Sequence, residues 1–283
     1  MKKTILVLGG TGLLGKPAAE KLNQAGYQVR IFTRDAQKAR ANFSEAFEII
    51  QGELTSKADL TQAMQGCCGV HISLPNNIEQ QGTELVAEIA ASQPEKTIKR
   101  ITYISGASVA EENRFFSMVD GKFLAEKALK ESGIPYSVFA PSWIMDSLPL
   151  FVRDGQASLI GKFPEPVHML TAADLGDMVV HAYNQENNES QRIVVLGPQA
   201  IPMKAAMEQY CAAIHPEIKK VSITPVWVIK LIATLSKNDE LKFVGDMMGY
   251  FEKAGADTKY HDGFKNFPAP QTTLAQWIET QKS

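Results

Sequence analysis

The chain has 283 residues, enough for one large domain or two unequal ones. Its 45% hydrophobic and 21% charged residues are the ordinary balance of a globular protein, and a formal net charge of −2 argues against a basic surface for nucleic acid. Cys67, Cys68 and Cys211 are too few for a disulfide framework and lack the spacing of a zinc site, so Cys67 and Cys68 read as packing residues.

Met1-Lys2-Lys3 followed by apolar residues superficially resembles a secretory leader, but glycines at 9, 10, 12 and 15 break the run. Ile5-Leu6-Val7-Leu8 is instead a buried strand pattern, and Lys16 to Leu22 reads as the helix after it. Between them, Gly10, Gly12 and Gly15 fit G-x-G-x-x-G, and Gly9, Gly12 and Gly15 fit G-x-x-G-x-x-G. Glycine permits a sharp turn and a close approach to a pyrophosphate, and helix-start N–H groups then face the phosphates. The flanking strand and helix supply the context that the motif requires, so Gly9, Gly10, Thr11, Gly12, Leu13, Leu14 and Gly15 are expected to cradle a dinucleotide.

The pattern then alternates. Val29–Thr33 reads as a second strand, Ala36 to Phe43 as a polar helix, Phe47–Ile50 as a third strand, and Gly69–Leu74 as a fourth that Pro75 stops. A helix from about Gln80 to Ser92 leads to a fifth strand at Arg100–Ser105, and one from about Asp120 to Glu131 leads to a sixth at Tyr136–Ala140. Helices are expected at Ala172 to Gln185, Met203 to Ile214, Val226 to Leu235 and about Leu241 to Gly249, with a seventh strand at Arg192–Leu196. Strands alternating with helices predict an α/β fold with a doubly wound parallel sheet. Residues 1–140 form its nucleotide-binding domain, and 141–283 a smaller, mostly helical substrate-side lobe, with about 190–197 returning to the sheet. No stretch is long and apolar enough to span a membrane, and the expected location is cytoplasmic.

The end of the second strand selects the nucleotide. An acidic residue there would hold the ribose hydroxyls of NAD, but the position is Thr33 and Arg34 follows. Arg34 offers a guanidinium fork to a 2′-phosphate, with Lys38 as a second cation, so NADPH is the expected cofactor. Asp35 competes as a signal and could instead cap the next helix; Arg34 could also be a solvated surface charge.

The ordered set GGTGLLGKP, VRIFTR, Gln51-Gly52-Glu53-Leu54, Ser132-Gly133-Ile134-Pro135-Tyr136, Ala173-Asp174-Leu175-Gly176, Gly197-Pro198 and Pro270-Gln271-Thr272-Thr273-Leu274-Ala275 resembles the NmrA-like group of atypical short-chain dehydrogenase/reductases across essentially the whole chain. The resemblance implies a Rossmann sheet, NADP binding, and a small-molecule substrate, since some members reduce quinones, other electrophiles or conjugated double bonds. Others bind the nucleotide as redox-sensing regulators. It extends the expected cofactor contacts to Glu53, Leu54, Leu74, Pro75, Ser105 and the Pro141-Ser142-Trp143 run, which falls where members border the nicotinamide. Homo-oligomer formation is left open.

One landmark is missing. The wider superfamily carries Tyr-x-x-x-Lys, with the tyrosine as acid one helical turn from the lysine. Here Lys122 fits the lysine and position 118 is methionine, while Tyr103 lies on the fifth strand, outside that spacing. Ordinary alcohol–ketone chemistry is therefore disfavoured. Lys122, the one catalytic candidate, could hold the nicotinamide ribose or donate a proton, as a lysine in this region does in isoflavone-reductase-like relatives. It could instead be a surface lysine paired with Glu126, four residues on. His71 reads as structural, and Asp174 as ordering a loop or helix start. Trp143 reads as a pocket wall or as core. Trp227 to Leu235 and Met247-Met248-Gly249-Tyr250-Phe251 read as a pocket lid, core or dimer face. Pro164-Glu165-Pro166 reads as a stiff loop.

Overall fold

A computed structural model describes residues 2–93, 97–163, 165–254 and 266–282; Pro164 of the expected stiff loop lies outside them. In chain order the first elements are β1 (Thr4–Leu8), α1 (Gly15–Gln24), β2 (Gln28–Thr33), α2 (Ala36–Asn42), β3 (Phe47–Gln51), α3 (Lys57–Met64) and β4 (Cys67–Ile72). There follow α4 (Asn76–Ser92), β5 (Arg100–Ile104), α5 (Ser117–Glu131) and β6 (Tyr136–Pro141). Next come β7 (Trp143–Ile144), β8 (Val152–Arg153), β9 (Gln156–Ile160), β10 (Val167–Leu170), α6 (Ala172–Asn184) and β11 (Gln191–Val195). The last are β12 (Gln199–Ile201), α7 (Met203–Ile214), β13 (Val221–Thr224), α8 (Val226–Ser236), α9 (Asp239–Ala254) and α10 (Leu274–Thr280).

The chain divides into two compact units. The first comprises Met1–Pro141, Ala172–Val195 and Asp262–Pro270; the second comprises Ser142–Thr171, Leu196–His261 and Gln271–Ser283. Helix α6 thus returns to the first unit together with the strand that follows it.

In the first unit, seven parallel strands run in the order β11-β6-β5-β4-β1-β2-β3. Ile5, Leu6, Val7 and Leu8 are all fully buried, as expected for a central strand covered on both faces. The strand order reverses between β1 and β4, and a crevice opens beyond the carboxyl ends of the strands at such a switch point. Helix α1 buries Ala18, Ala19 and Leu22. Gly176 of α6 lets that helix approach closely, because a Cβ there would stand 3.2 Å from the Pro17 carbonyl oxygen.

Several elements start earlier than their patterns suggested, among them β4 at Cys67 and α9 at Asp239. Helix α4 begins at Asn76, directly after Pro75, and α5 begins at Ser117. Asp174 sits in the first turn of α6. Helix α3 was not foreseen; Ser56 caps it by accepting the Asp59 N–H at 3.2 Å.

The second unit combines helices with two three-stranded sheets that periodicity did not reveal, β12-β10-β7 and β13-β9-β8. Met145, Leu148, Met169, Met207 and Trp277 belong to its core. Helix α10 is closed by a capping box in which the Thr273 N–H donates to Gln276 Oε1 at 2.8 Å.

His71 is structural, as its pattern suggested. It is fully buried on β4, its Nδ1 lies 2.8 Å from Thr102 Oγ1, and burial pushes its pKa down from 6.5 to about 3. The unfolded chain takes up this proton near pH 6.5 and the folded chain only near pH 3, so the stabilisation is complete above the first value and lost as pH falls towards the second. Acidification from about pH 6.5 to about 4.5 should therefore remove about 2 kcal/mol of unfolding free energy through this one group. Urea unfolding of wild type and His71→Gln at both pH values checks it: the variant should lose about 2 kcal/mol less. Equal pH slopes would show that His71 does not carry the effect.

Candidate functional site

The site is built on the turn after β1. Gly9 adopts φ +77°, and a Cβ on it would stand 1.9 Å from the Ser73 carbonyl oxygen. A Cβ on Gly15 would stand 2.2 Å from the Gly9 carbonyl oxygen. These glycines thus permit backbone to meet backbone where the ends of β1 and β4 face the start of α1. Gly10 packs inward, since its Cβ would meet the Ile31 side chain at 2.8 Å. Gly12 differs: a Cβ there would meet only the Gly9 carbonyl oxygen, at 3.2 Å, and open space otherwise.

Beyond this turn lies a cavity of about 760 Å³, wholly within the first unit. It is lined by Gly9, Thr11, Gly12, Leu13 and Leu14 from the turn, Thr33, Arg34 and Lys38 around the end of β2, Glu53 and Leu54 after β3, and Leu74 and Pro75 after β4. Its size is that of a small-molecule or cofactor site. The start of α1 has no side-chain cap and no acidic residue in its first turn. Lys16 donates its N–H to the Gly12 carbonyl oxygen at 3.0 Å and Pro17 has none, so it is the turn residues Leu13 and Leu14, which line the cavity, that stand where an anion would sit.

The charges around the end of β2 sort themselves by local bonding. Asp35 caps α2, accepting the Lys38 N–H at 2.9 Å, and its own N–H donates to Thr33 Oγ1 at 3.2 Å. Its carboxylate is thus committed to the helix. Among the described residues, neither Arg34 nor Lys38 has an ion-pair partner, and both line the cavity. After β3, the Glu53 N–H is held by Asp59 Oδ2 at 2.9 Å, which orders the Glu53–Leu54 wall. Asp35 lines the cavity beside these cations, and Phe32, Thr55, Ser73, Asn77 and Ile78, which the sequence did not single out, complete the lining. Asn77 and Ile78 entered because α4 starts immediately after Pro75.

Lys122 and Ser105 do not line this cavity; they lie in a second polar cluster of the same unit, around the end of β5. The Lys122 ammonium donates to Glu79 Oε1 at 2.6 Å and lies 5.8 Å from the centre of the Tyr103 ring. Its side chain is 14% exposed and that of Glu79 only 2%. The surface pairing with Glu126 does not form. Glu126 instead accepts from Ser105 Oγ and from Arg192 Nε, the latter at 2.8 Å. Arg192 also donates to the carbonyl oxygens of Gly106 and Val109, each at 3.1 Å. Tyr103 is fully buried, with its hydroxyl beside Glu79 but not in hydrogen-bond geometry. Burial and then the Glu79 carboxylate hold it well above the ordinary tyrosine pKa, which makes it a poor anion-forming group.

Pro141 ends β6, its carbonyl oxygen accepting the Ala107 N–H at 3.0 Å. Ser142 and Trp143 belong to the second unit. There Ser142 Oγ donates to the His168 carbonyl oxygen, and Trp143 stacks edge-on against Phe163 and Phe251 with centroids 5.5 and 5.4 Å away. Within α8, Trp227, Leu231 and Leu235 are exposed. Among the described residues, no group of three or more His, Cys, Asp or Glu side chains could hold a metal ion, and no helix is long and apolar enough to cross a membrane.

The chain belongs to the NmrA-like family, whose model matches residues 1–278. It is 25% identical over 227 residues to an NAD(P)H azoreductase of Xenophilus azovorans, covering 78% of this chain and 77% of that protein. It is 22% identical over 288 residues to a photosystem II assembly factor of Trieres chinensis, covering 96% and 90%. In structure it resembles an NADPH-dependent quinone oxidoreductase of Escherichia coli complexed with NADPH, with TM-score 0.75 and 20% identity over 99% of this chain and 100% of that one.

The glycines separate by what surrounds them, and substitution should separate them too. Gly12→Val should fold with nearly wild-type stability yet lose dinucleotide binding, because its side chain would occupy the cavity. Gly15→Ala should cost about 1–3 kcal/mol, because backbone must move to admit the methyl group. Thermal unfolding and NADPH titration of both variants check this. A folded Gly12→Val chain with wild-type affinity would contradict it.

Proposed function

We propose that the chain is an NADPH-dependent reductase of a small, largely apolar electrophile such as a quinone or an enone. The observation that carries this reading is the cavity beyond β1 and β2, with a glycine cradle at one end and, at the other, two cations without an ion-pair partner among the described residues. An azoreductase using NAD(P)H and a quinone oxidoreductase complexed with NADPH support nicotinamide-dependent reduction.

In this reading Gly9 to Gly15, with the start of α1, hold the pyrophosphate through N–H groups. Thr33, Arg34 and Lys38 take the 2′-phosphate, Arg34 through its planar fork. Glu53, Leu54, Leu74 and Pro75 wall the nucleotide. Ser105, Lys122 and the end of β6 at Pro141 serve the nicotinamide end. Bound NADPH supplies a hydride as the two-electron reductant. The residues of the chain bind, orient and exclude water.

The choice of electrophile rests on α5. Met118 sits one helical turn before Lys122 and has no proton to give. A quinone's reduced oxygens are weakly basic and take protons from water, whereas a simple ketone needs an acid in place. A second reading, a nucleotide-binding assembly or regulatory protein with little turnover, draws on the same missing acid and on the likeness to a photosystem II assembly factor.

Two measurements test the proposal. Wild type should bind NADPH more tightly than NADH, and Arg34→Ala should lose most of that preference. A charge-assisted contact contributes about 1.5–3 kcal/mol, roughly tenfold to a hundredfold in affinity. An unchanged preference would remove Arg34 from phosphate recognition. NADPH oxidation against a panel should be much faster with quinones and enones than with simple ketones. Efficient oxidation of a secondary alcohol would reveal another acid–base group, and tight NADPH binding with no turnover across the panel would favour the second reading.

A further inference from the structure

We infer that Glu79 is the positioning residue for the cation at the hydride-transfer end of the site. The inference deepens the reductase reading and rests on it. Glu79 occupies a core position on α4: it shares the buried stripe of Thr83, Val86 and Ala90, spaced as one helix face. A carboxylate at such a position is costly unless a charge and hydrogen bonds meet it. What meets it is the Lys122 ammonium, at 2.6 Å from its Oε1.

Each alternative partner of Lys122 is already engaged or of another kind. Glu126, one turn along the same helix, is taken by Arg192 and Ser105. Tyr103 offers Lys122 the face of its ring. Glu79 is thus the carboxylate that orients the ammonium. A lysine ammonium has three donors. Glu79 takes one and fixes the direction of the others, which serve the ribose hydroxyls in the proposed reductase. The anchor also lies close to the nucleotide cavity in sequence, since Pro75, Asn77 and Ile78 on the same segment line it. A buried ion pair is a weak source of stability compared with well-packed apolar side chains, so a simple clamp between α4 and α5 would not require these two residues.

The test compares Glu79→Gln, Lys122→Met and the double variant. NADPH affinity is read by titration, and turnover with NADPH and p-benzoquinone. Glu79→Gln is expected to raise the KM for NADPH about tenfold while kcat falls no more than about twofold. In the Lys122→Met background the same substitution should change neither value by as much as about twofold, because the residue it acts through is gone. Wild-type kinetics for Glu79→Gln, or an equal loss in both backgrounds, would overturn the inference and leave a structural contact. If Glu79→Gln alone does not fold, the double variant, which carries neither charge, is compared with Lys122→Met. Matching NADPH affinities support the inference and a further loss in the double variant overturns it. Failure of wild type to reduce p-benzoquinone would count against the reductase reading, while the NADPH titrations would still decide whether Glu79 acts through Lys122.

Discussion

The first unit depends on one close approach of backbone to backbone. At Gly9 the chain turns in the left-handed region, and no side-chain atom fits between it and the Ser73 carbonyl oxygen. At Gly15 the start of α1 presses on the Gly9 carbonyl oxygen with the same exclusion. β1, the start of α1 and the end of β4 therefore meet at one point. Because β1 lies between β2 and β4 in the sheet, this point is also where the strand order reverses. The cavity opens beyond the carboxyl ends of the strands at this switch point, where the start of α1 carries no side-chain cap.

The charges follow from this arrangement. Most carboxylates near the two polar clusters have structural duties: Asp35 caps α2, Asp59 holds the Glu53 N–H, Glu79 meets Lys122, and Glu126 meets Arg192 and Ser105. Arg34 and Lys38 are left facing the cavity without an ion-pair partner among the described residues. An anion entering from solvent would thus meet these two cations at the end of β2, where the neighbouring Asp35 carboxylate is bound to the α2 backbone. The second cluster has a different character. Its charges are paired and largely shielded, so its geometry is held more rigidly than that of an exposed pair.

The central strand β1 was readable because burial on both faces writes it as a continuous apolar run, Ile5-Leu6-Val7-Leu8, whereas β5 carries the buried polar residues Arg100 and Thr102 between its apolar ones. The cradle was readable because close backbone approach restricts residue type to glycine. Other helix starts carry local capping signals in the sequence: Ser56 with Asp59 at the start of α3, and Thr273 with Gln276 at the start of α10. The two small sheets of the second unit left no comparable trace. β7 and β8 are two residues long, and β9 pairs in parallel with β13 some sixty residues later, so neither period nor neighbouring turn announces them.

Sequence by itself determined the sheet, the glycine turn and the paired cations after β2, because each is a local demand of backbone geometry or charge on residue type. Tertiary structure alone decided which carboxylate does what. Spacing on α5 suggested Glu126 for Lys122, since residues four apart are helical neighbours. Folding delivered Glu79 from α4 instead, and turned Glu126 towards Ser105 and Arg192. The one local hint was a glutamate at an apolar position of the α4 stripe, at 79 ahead of 83, 86 and 90. A buried charge must find its counter-charge wherever packing brings one, and that partner is set by the crossing of two helices, which no local pattern encodes.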